Sequence, residues 1–302
     1  MKGRPIMSHF VLCPLRTAAW KVQHEAIREA AWNREYPRRV AEEQAGAPDA
    51  QQPHAPQADA DVAPVGFTYY VGRGVLVPLA RLLYRPRIEG RGNIPRTGKV
   101  IFASNHLSFI DSLIIPMFSP RPVYFLAKSS YFDGKGFKGW VSRQFFTAIG
   151  ATPVQRGAGQ AALDALDQQR RILHSGRAIA LYPEGTRSLD GRLYKGRTGV
   201  AFLALEEGAQ VVPVGLIGTN EAMPVGAKFP KRHPRVTVRY GEPIDLSHLG
   251  AANSGRARRQ ATDEIMAAIH ALSGQELAGT YNEAPASNPV ERLKQVLPHE
   301  RR

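Results

Sequence analysis

The 302-residue chain has a single cysteine, Cys13, so it can close no internal disulfide, which suits a reducing compartment. Its nine histidines fall in no zinc-type spacing, and no metal site or resident cofactor is expected. No Walker-type loop is present, which removes one usual sign of a nucleotide-phosphate cradle. Long hydrophobic runs are lacking as well. Phe10-Val11-Leu12-Cys13 is too short for a signal peptide. Acids are scarce beside bases: 26 Asp and Glu stand against 40 Lys and Arg, a formal charge of +14. That surplus favours a polyanion, whether nucleic acid, anionic lipid or phosphorylated substrate. The basic residues are spread along the chain with no recognition motif among them, so nucleic acid is not expected as a partner.

What is present divides the chain. Residues 1–45 read as a helical extension, with Trp20, Val22, Ile27 and Trp32 among Ala, Arg and Glu. Residues 46–66 hold Pro, Ala, Gln and Asp without Lys, Arg or Glu, and read as a disordered linker. Residues 67–278 form the main domain, and 279–302 a loose polar tail. The domain opens on a basic amphipathic stretch, 67–99, with Arg73, Arg81, Arg85, Arg87, Arg91, Arg96 and Lys99 against Glu89 alone. Its first half is aromatic and aliphatic, but Gly72, Arg73, Gly74, Pro78 and Arg81 interrupt it. A spanning helix needs about 20 uninterrupted apolar residues. The stretch therefore suits a helix lying in the headgroup layer, or packed on the domain, or both.

Beyond Lys99, strand-like and helix-like runs alternate. Strands are expected at 100–103, 123–127, 178–182, 211–217 and 235–240, and helices from Ser108, through Trp140 to Phe146, and at 161–174, 200–207 and 258–272. This alternation predicts an α/β fold, with a mixed, largely parallel sheet flanked by helices and an N-terminal interfacial helical segment. Phe102, Phe109, Phe125 and Trp140 are expected mostly in the core, with some free to line an acyl groove.

Two stretches carry chemistry. The first is Ser104-Asn105-His106-Leu107-Ser108-Phe109-Ile110-Asp111, between a buried strand and a short helix. Ser108-x-x-Asp111 has capping-box spacing, with Ser108 as N-cap and Asp111 at N3. His106 before the helix and Asp111 in its first turn would then face each other. Taken alone, a capping aspartate beside an ordinary loop histidine is the weightier reading. The second stretch, Tyr182-Pro183-Glu184-Gly185-Thr186-Arg187-Ser188, also follows a buried run. Gly185 allows close backbone approach, Thr186 and Ser188 carry hydroxyls, and Arg187 offers a planar fork suited to phosphate.

In this order the two stretches resemble the signatures of the glycerolipid acyltransferase family, which includes 1-acylglycerol-3-phosphate acyltransferases. Asn-His-x4-Asp stands at Asn105, His106 and Asp111, and Pro-Glu-Gly-Thr-Arg-Ser runs intact from Pro183 to Ser188. Two weaker blocks match Ala151 to Arg156 and Val211 to Val214. The resemblance covers roughly 67–275. It implies His106 as general base, Asp111 as its orienting partner, and acceptor binding by Glu184, Gly185, Thr186, Arg187 and Arg156, with Lys128 a further cation and Lys195 a weaker one. Pro213 would shape the pocket. A covalent route through Ser104 or Ser108 is the minor option.

The resemblance implies acyl transfer from acyl-CoA or acyl carrier protein to the sn-2 hydroxyl of lysophosphatidate. It places the protein peripherally on the cytoplasmic face of the cell membrane, against anionic lipid. The alternatives are another lysophospholipid or lipid-linked acceptor, and a non-catalytic protein that binds anionic lipid.

Overall fold

The computed structural model of the chain describes residues 65–154, 160–227, 230–231 and 235–282. The extension expected at 1–45, nearly all of the linker at 46–66, and the tail beyond Asn282 lie outside the described residues, as does Arg156.

Helix α1, Phe67–Tyr84, runs through Gly72, Gly74 and Pro78 without a break. It ends where Arg85 turns left-handed ahead of Pro86, a residue that disfavours continued helix before it. Then follow β1 (Arg87–Glu89), β2 (Val100–Ser104), α2 (Asp111–Phe118), β3 (Val123–Lys128), α3 (Gly136–Ala148) and β4 (Ala151–Val154). The chain continues through α4 (Gln160–His174), β5 (Ala178–Leu181), β6 (Leu193–Lys195), α5 (Gly199–Glu207), β7 (Gln210–Ile217) and α6 (Thr219–Ala222). It closes with β8 (Thr237–Tyr240), α7 (Gly255–Ser273) and β9 (Leu277–Tyr281).

Seven strands form one sheet in the order β1-β8-β7-β2-β5-β3-β4, and β6 pairs with β9 apart from it. Every neighbouring pair in the large sheet is parallel except β7 with β8. This is the mixed, largely parallel sheet expected. The central strand β2 is buried along its whole length, as a strand covered on both faces must be. Pro213 sits inside β7, where a missing N–H would normally break a ladder. Its carbonyl accepts the Gly241 amide, beyond the last residue of β8, so the absent donor faces the end of that ladder.

Two expectations need correction. Gly279 to Tyr281 are not loose tail; they belong to β9, whose Leu277 and Tyr281 register with Leu193 and Lys195. Its Leu-Ala-Gly-Thr-Tyr sequence lacks the alternation that marks a strand. Trp140 is not core: it is 55% exposed on α3, whereas Phe102 and Phe125 are buried. Within the basic stretch, Arg73 is half-buried. Its guanidinium donates to the carbonyls of Pro116 (3.2 Å) and Ser119, at the C-terminal end of α2, where a positive charge is favoured.

Candidate active site

Strands β2 and β5 lie side by side and parallel, Ala103 in register with Leu181. Both chains therefore leave the sheet at the same edge, where ligands gather in folds of this type. The loop after β2 holds His106, and the loop after β5 holds 183–188.

His106 Nδ1 lies 2.9 Å from Asp111 Oδ2. The same oxygen accepts the amides of Leu107 and Ser108, each at 2.7 Å. The loop thus wraps three donors around one carboxylate oxygen at the start of α2. Asp111 is fully buried, and these donors with the helix N-terminus offset the cost of burying its charge. Its Oδ1 has no hydrogen-bond partner.

The capping arrangement differs from the expected one. Helix α2 begins at Asp111, with Ile110 before it as N-cap and no side-chain cap. Asp111 still bonds back to the Ser108 amide, but the Ser108 hydroxyl donates to the carbonyl of Met223 at 2.6 Å. Ser104 donates to the Asn105 carbonyl at 3.0 Å. Both serines are fully buried, so neither hydroxyl is presented as a nucleophile.

The second loop is clasped to the first. Glu184 Oε1 accepts the His106 amide at 2.9 Å, and Ser188 donates its amide to the His106 carbonyl at 2.7 Å. Glu184 Oε2 accepts the Tyr194 amide at 3.0 Å. Glu184 is fully buried with both oxygens engaged by backbone amides, which braces the chain at His106. Burial pushes its carboxyl up to about 7, against the pull of the two amides. The Ser188 hydroxyl is likewise committed, donating to Asp190 at 3.1 Å. Asp190 also takes Arg192 and the Tyr194 hydroxyl. Burial alone would raise its pKa, but these hydrogen bonds outweigh it and hold the carboxyl below the usual value.

Gly185 has φ +78° and is exposed. A side chain there would be strained, and its Cβ would lie 3.1 Å from Arg197 Nε. Thr186 and Arg187 are half-buried, and the Arg187 guanidinium has no hydrogen-bond or ion-pair partner among the described residues. Lys128 ends β3 on the same edge of the sheet and is exposed. Arg156, two residues after β4, lies outside the described residues. Lys195 is exposed on β6, and no hydrogen bond links it to either loop.

Sequence reasoning missed the roles of two residues that it had named. Tyr182 stacks on the His106 ring, centroids 3.8 Å apart and planes 11° from parallel, and its hydroxyl lies 3.0 Å from Ser112 Oγ. Only its place next to Pro183 could have hinted at this. Asn105 bonds both the N–H and the C=O of Leu216, at 2.8 Å each, and Gln275 at 2.7 Å. It fastens the end of β2 to β7, a pairing that sequence does not reveal.

The family model described as Acyltransferase matches residues 85–217. The chain is 32% identical over 162 residues to the chloroplastic 1-acyl-sn-glycerol-3-phosphate acyltransferase LPAT1 of Arabidopsis thaliana, covering 53% of this chain and 44% of that one. It is 36% identical over 157 residues to a 1-acyl-sn-glycerol-3-phosphate acyltransferase of Chlamydomonas reinhardtii, covering 51% and 45%. The alignments thus span less than half the length of these relatives. The crystal structure of the 1-acyl-sn-glycerophosphate (LPA) acyltransferase PlsC from Thermotoga maritima superposes with a TM-score of 0.50 at 20% identity, over 70% of this chain and 89% of that one. That likeness is one of fold. Residues 85–217, which hold both loops of the site, are thus similar to the acyltransferase family.

Proposed function

We propose that the protein transfers an acyl group from acyl-CoA or acyl carrier protein to the sn-2 hydroxyl of 1-acyl-glycerol-3-phosphate, forming phosphatidate. The observation that carries the reading is the His106–Asp111 pair at 2.9 Å, clasped by backbone and carboxylate to the loop that bears Arg187. The names of the relatives supply the acceptor class.

A hydroxyl is a poor nucleophile until its proton is taken in the transition state. Asp111 holds the Nδ1 proton, which leaves Nε2 of His106 as the base. The acceptor oxygen attacks the thioester carbonyl as Nε2 takes its proton. The tetrahedral intermediate collapses, the C–O ester bond remains and the C–S bond breaks. The thiolate leaves with the electron pair, and the imidazolium returns the proton to it. Asp111 stabilises the imidazolium meanwhile. Arg187 takes the acceptor phosphate, with Lys128 and Arg156 as further cations around it. Gly185 and Thr186 give the acceptor backbone room and a polar contact. The exposed apolar face of α1 supports contact with a lipid surface; a peripheral site on the cytoplasmic face of the cell membrane fits the single cysteine.

The test is thiol release from acyl-CoA, and from acyl carrier protein, with and without lysophosphatidate. Release should require the acceptor, and His106→Ala should lower it by about 10²–10⁴-fold. Arg187→Ala should weaken the phosphate-bearing acceptor by about 10–150-fold, the worth of a charged hydrogen bond, and leave a neutral acceptor untouched. Release without acceptor would make the protein a thioesterase or an acyl-enzyme. No release from any donor would favour the non-catalytic lipid-binding reading.

A further inference from the structure

Helix α1 is amphipathic in the wrong sense for a helix bathed in water. Its inner side packs on the domain through Tyr69, Leu76, Val77 and Ala80, and Gly72 comes within reach of Ala148 on α3. Its outer side should then be polar. Instead Phe67 is 82% exposed, Leu82 74%, and Tyr70, Val71, Val75 and Leu79 follow the same stripe. Helix α3, packed alongside, repeats the anomaly. Phe137 is 77% exposed and stacks at 5.9 Å on Trp140, with Val141 exposed beside them. Isolated exposed apolar residues are ordinary; sets of them on two helices packed together mark a binding face.

The charge around this face selects the occupant. Neither helix contains an Asp or Glu. Arg81 lies in the last turn of α1, Arg85 directly follows it, and Lys135 and Lys138 bracket Phe137. Among the described residues no helix is long and apolar enough to cross a membrane. Exposed aromatics rimmed by cations, on helices that cannot span, match an anionic bilayer surface.

We infer that α3 inserts Phe137 and Trp140 into an anionic bilayer beside α1, so that docking uses two helices and not the N-terminal one alone. The inference rests on the lipid-surface part of the proposed function. Its ring pair would enter at headgroup depth, where an amphipathic indole is favoured, with Lys135 and Lys138 on lipid phosphates.

The test uses the full chain with Trp20→Phe and Trp32→Phe, leaving Trp140 as sole reporter. Vesicles of phosphatidylcholine, alone or mixed with phosphatidylglycerol, are added. The expected result is a blue shift of Trp140 emission, and quenching by lipids brominated on the acyl chain, with the mixed vesicles only, weakening as salt is raised. In the otherwise native chain, Phe137→Ser with Trp140→Ser should weaken vesicle partition by about tenfold or more, the scale of one buried aromatic side chain. Acyl transfer between short-chain, water-soluble substrates should be unchanged. Vesicle binding that leaves Trp140 unshifted and unquenched overturns the inference. So does Trp140 emission already blue-shifted without lipid, which would mean that the face is already covered, and so does a dimer that the double substitution dissociates. Because partition is read without turnover, a failed acyltransferase reading and a failed docking reading give different results.

Discussion

At the scale of residues, the site depends on what holds one imidazole still. Asp111 fixes one ring edge, Tyr182 covers one ring face, and the second loop binds the backbone on either side. Tyr182 acts through His106, so it is a positioning residue. Tyr182→Leu removes the stack and should lower kcat by about 10²-fold, the cost of a small misplacement of a catalytic group, with the acceptor KM little changed. Tyr182→Phe keeps the stack and loses the hydroxyl that contacts Ser112, and should retain most activity. A fall in KM terms alone, or equal losses in both variants, would remove the tyrosine from this role. Glu184 carries a different prediction. Its folded pKa of about 7 lies above the ordinary 4.5. A raised carboxyl contributes stability fully present below pH 4.5 and lost as pH rises toward 7. The loss is about 3 kcal/mol at roughly 1.4 kcal/mol per unit. Urea midpoints measured between pH 4.5 and 7 should fall more steeply for the native chain than for Glu184→Gln; parallel profiles would refute the shift.

At the scale of elements, tight backbone contact positions the helices on the sheet. Gly215 in β7 faces α7: a Cβ there would come within 2.6 Å of the Leu272 backbone. Gly215→Ala should therefore destabilise the fold by about 1–3 kcal/mol through overpacking, read as a lower urea midpoint. Most elements were legible in the sequence because they are long or continuously apolar. Strands β2, β3, β5 and β7 and helices α4, α5 and α7 stand within a few residues of expectation. The short strands were not. Arg87–Glu89 and Leu193–Lys195 have three residues each, exist only by virtue of a partner, and lack a period long enough to read. The start of α2 was read one turn early because capping-box spacing does not say which half of the box is used. Here the carboxylate half forms, while the serine hydroxyl is taken by Met223, 115 residues away.

At the scale of the whole molecule, the site was legible as two motifs but not as one object. The pairing of His106 with Asp111 is local, and its spacing was enough to propose it. The role of Glu184 was not readable, since its His106 amide donor reaches it only when β2 and β5 become neighbours. The outward apolar stripe of α1 was visible as composition, whereas its counterpart on α3 required the two helices to be placed side by side. The sheet order also has a consequence in time. The clasp joins residues 78 positions apart, and β2 is flanked by two strands that follow it by a similar or greater distance. Contacts of such separation form late, after the chain has met the entropy of closing its long loops. Recovery of activity on dilution from denaturant should therefore follow the slowest refolding phase, with no active fraction during earlier collapse. A chain still emerging from synthesis would carry the whole of its first motif, already synthesised, and remain inert until the sheet had closed around it.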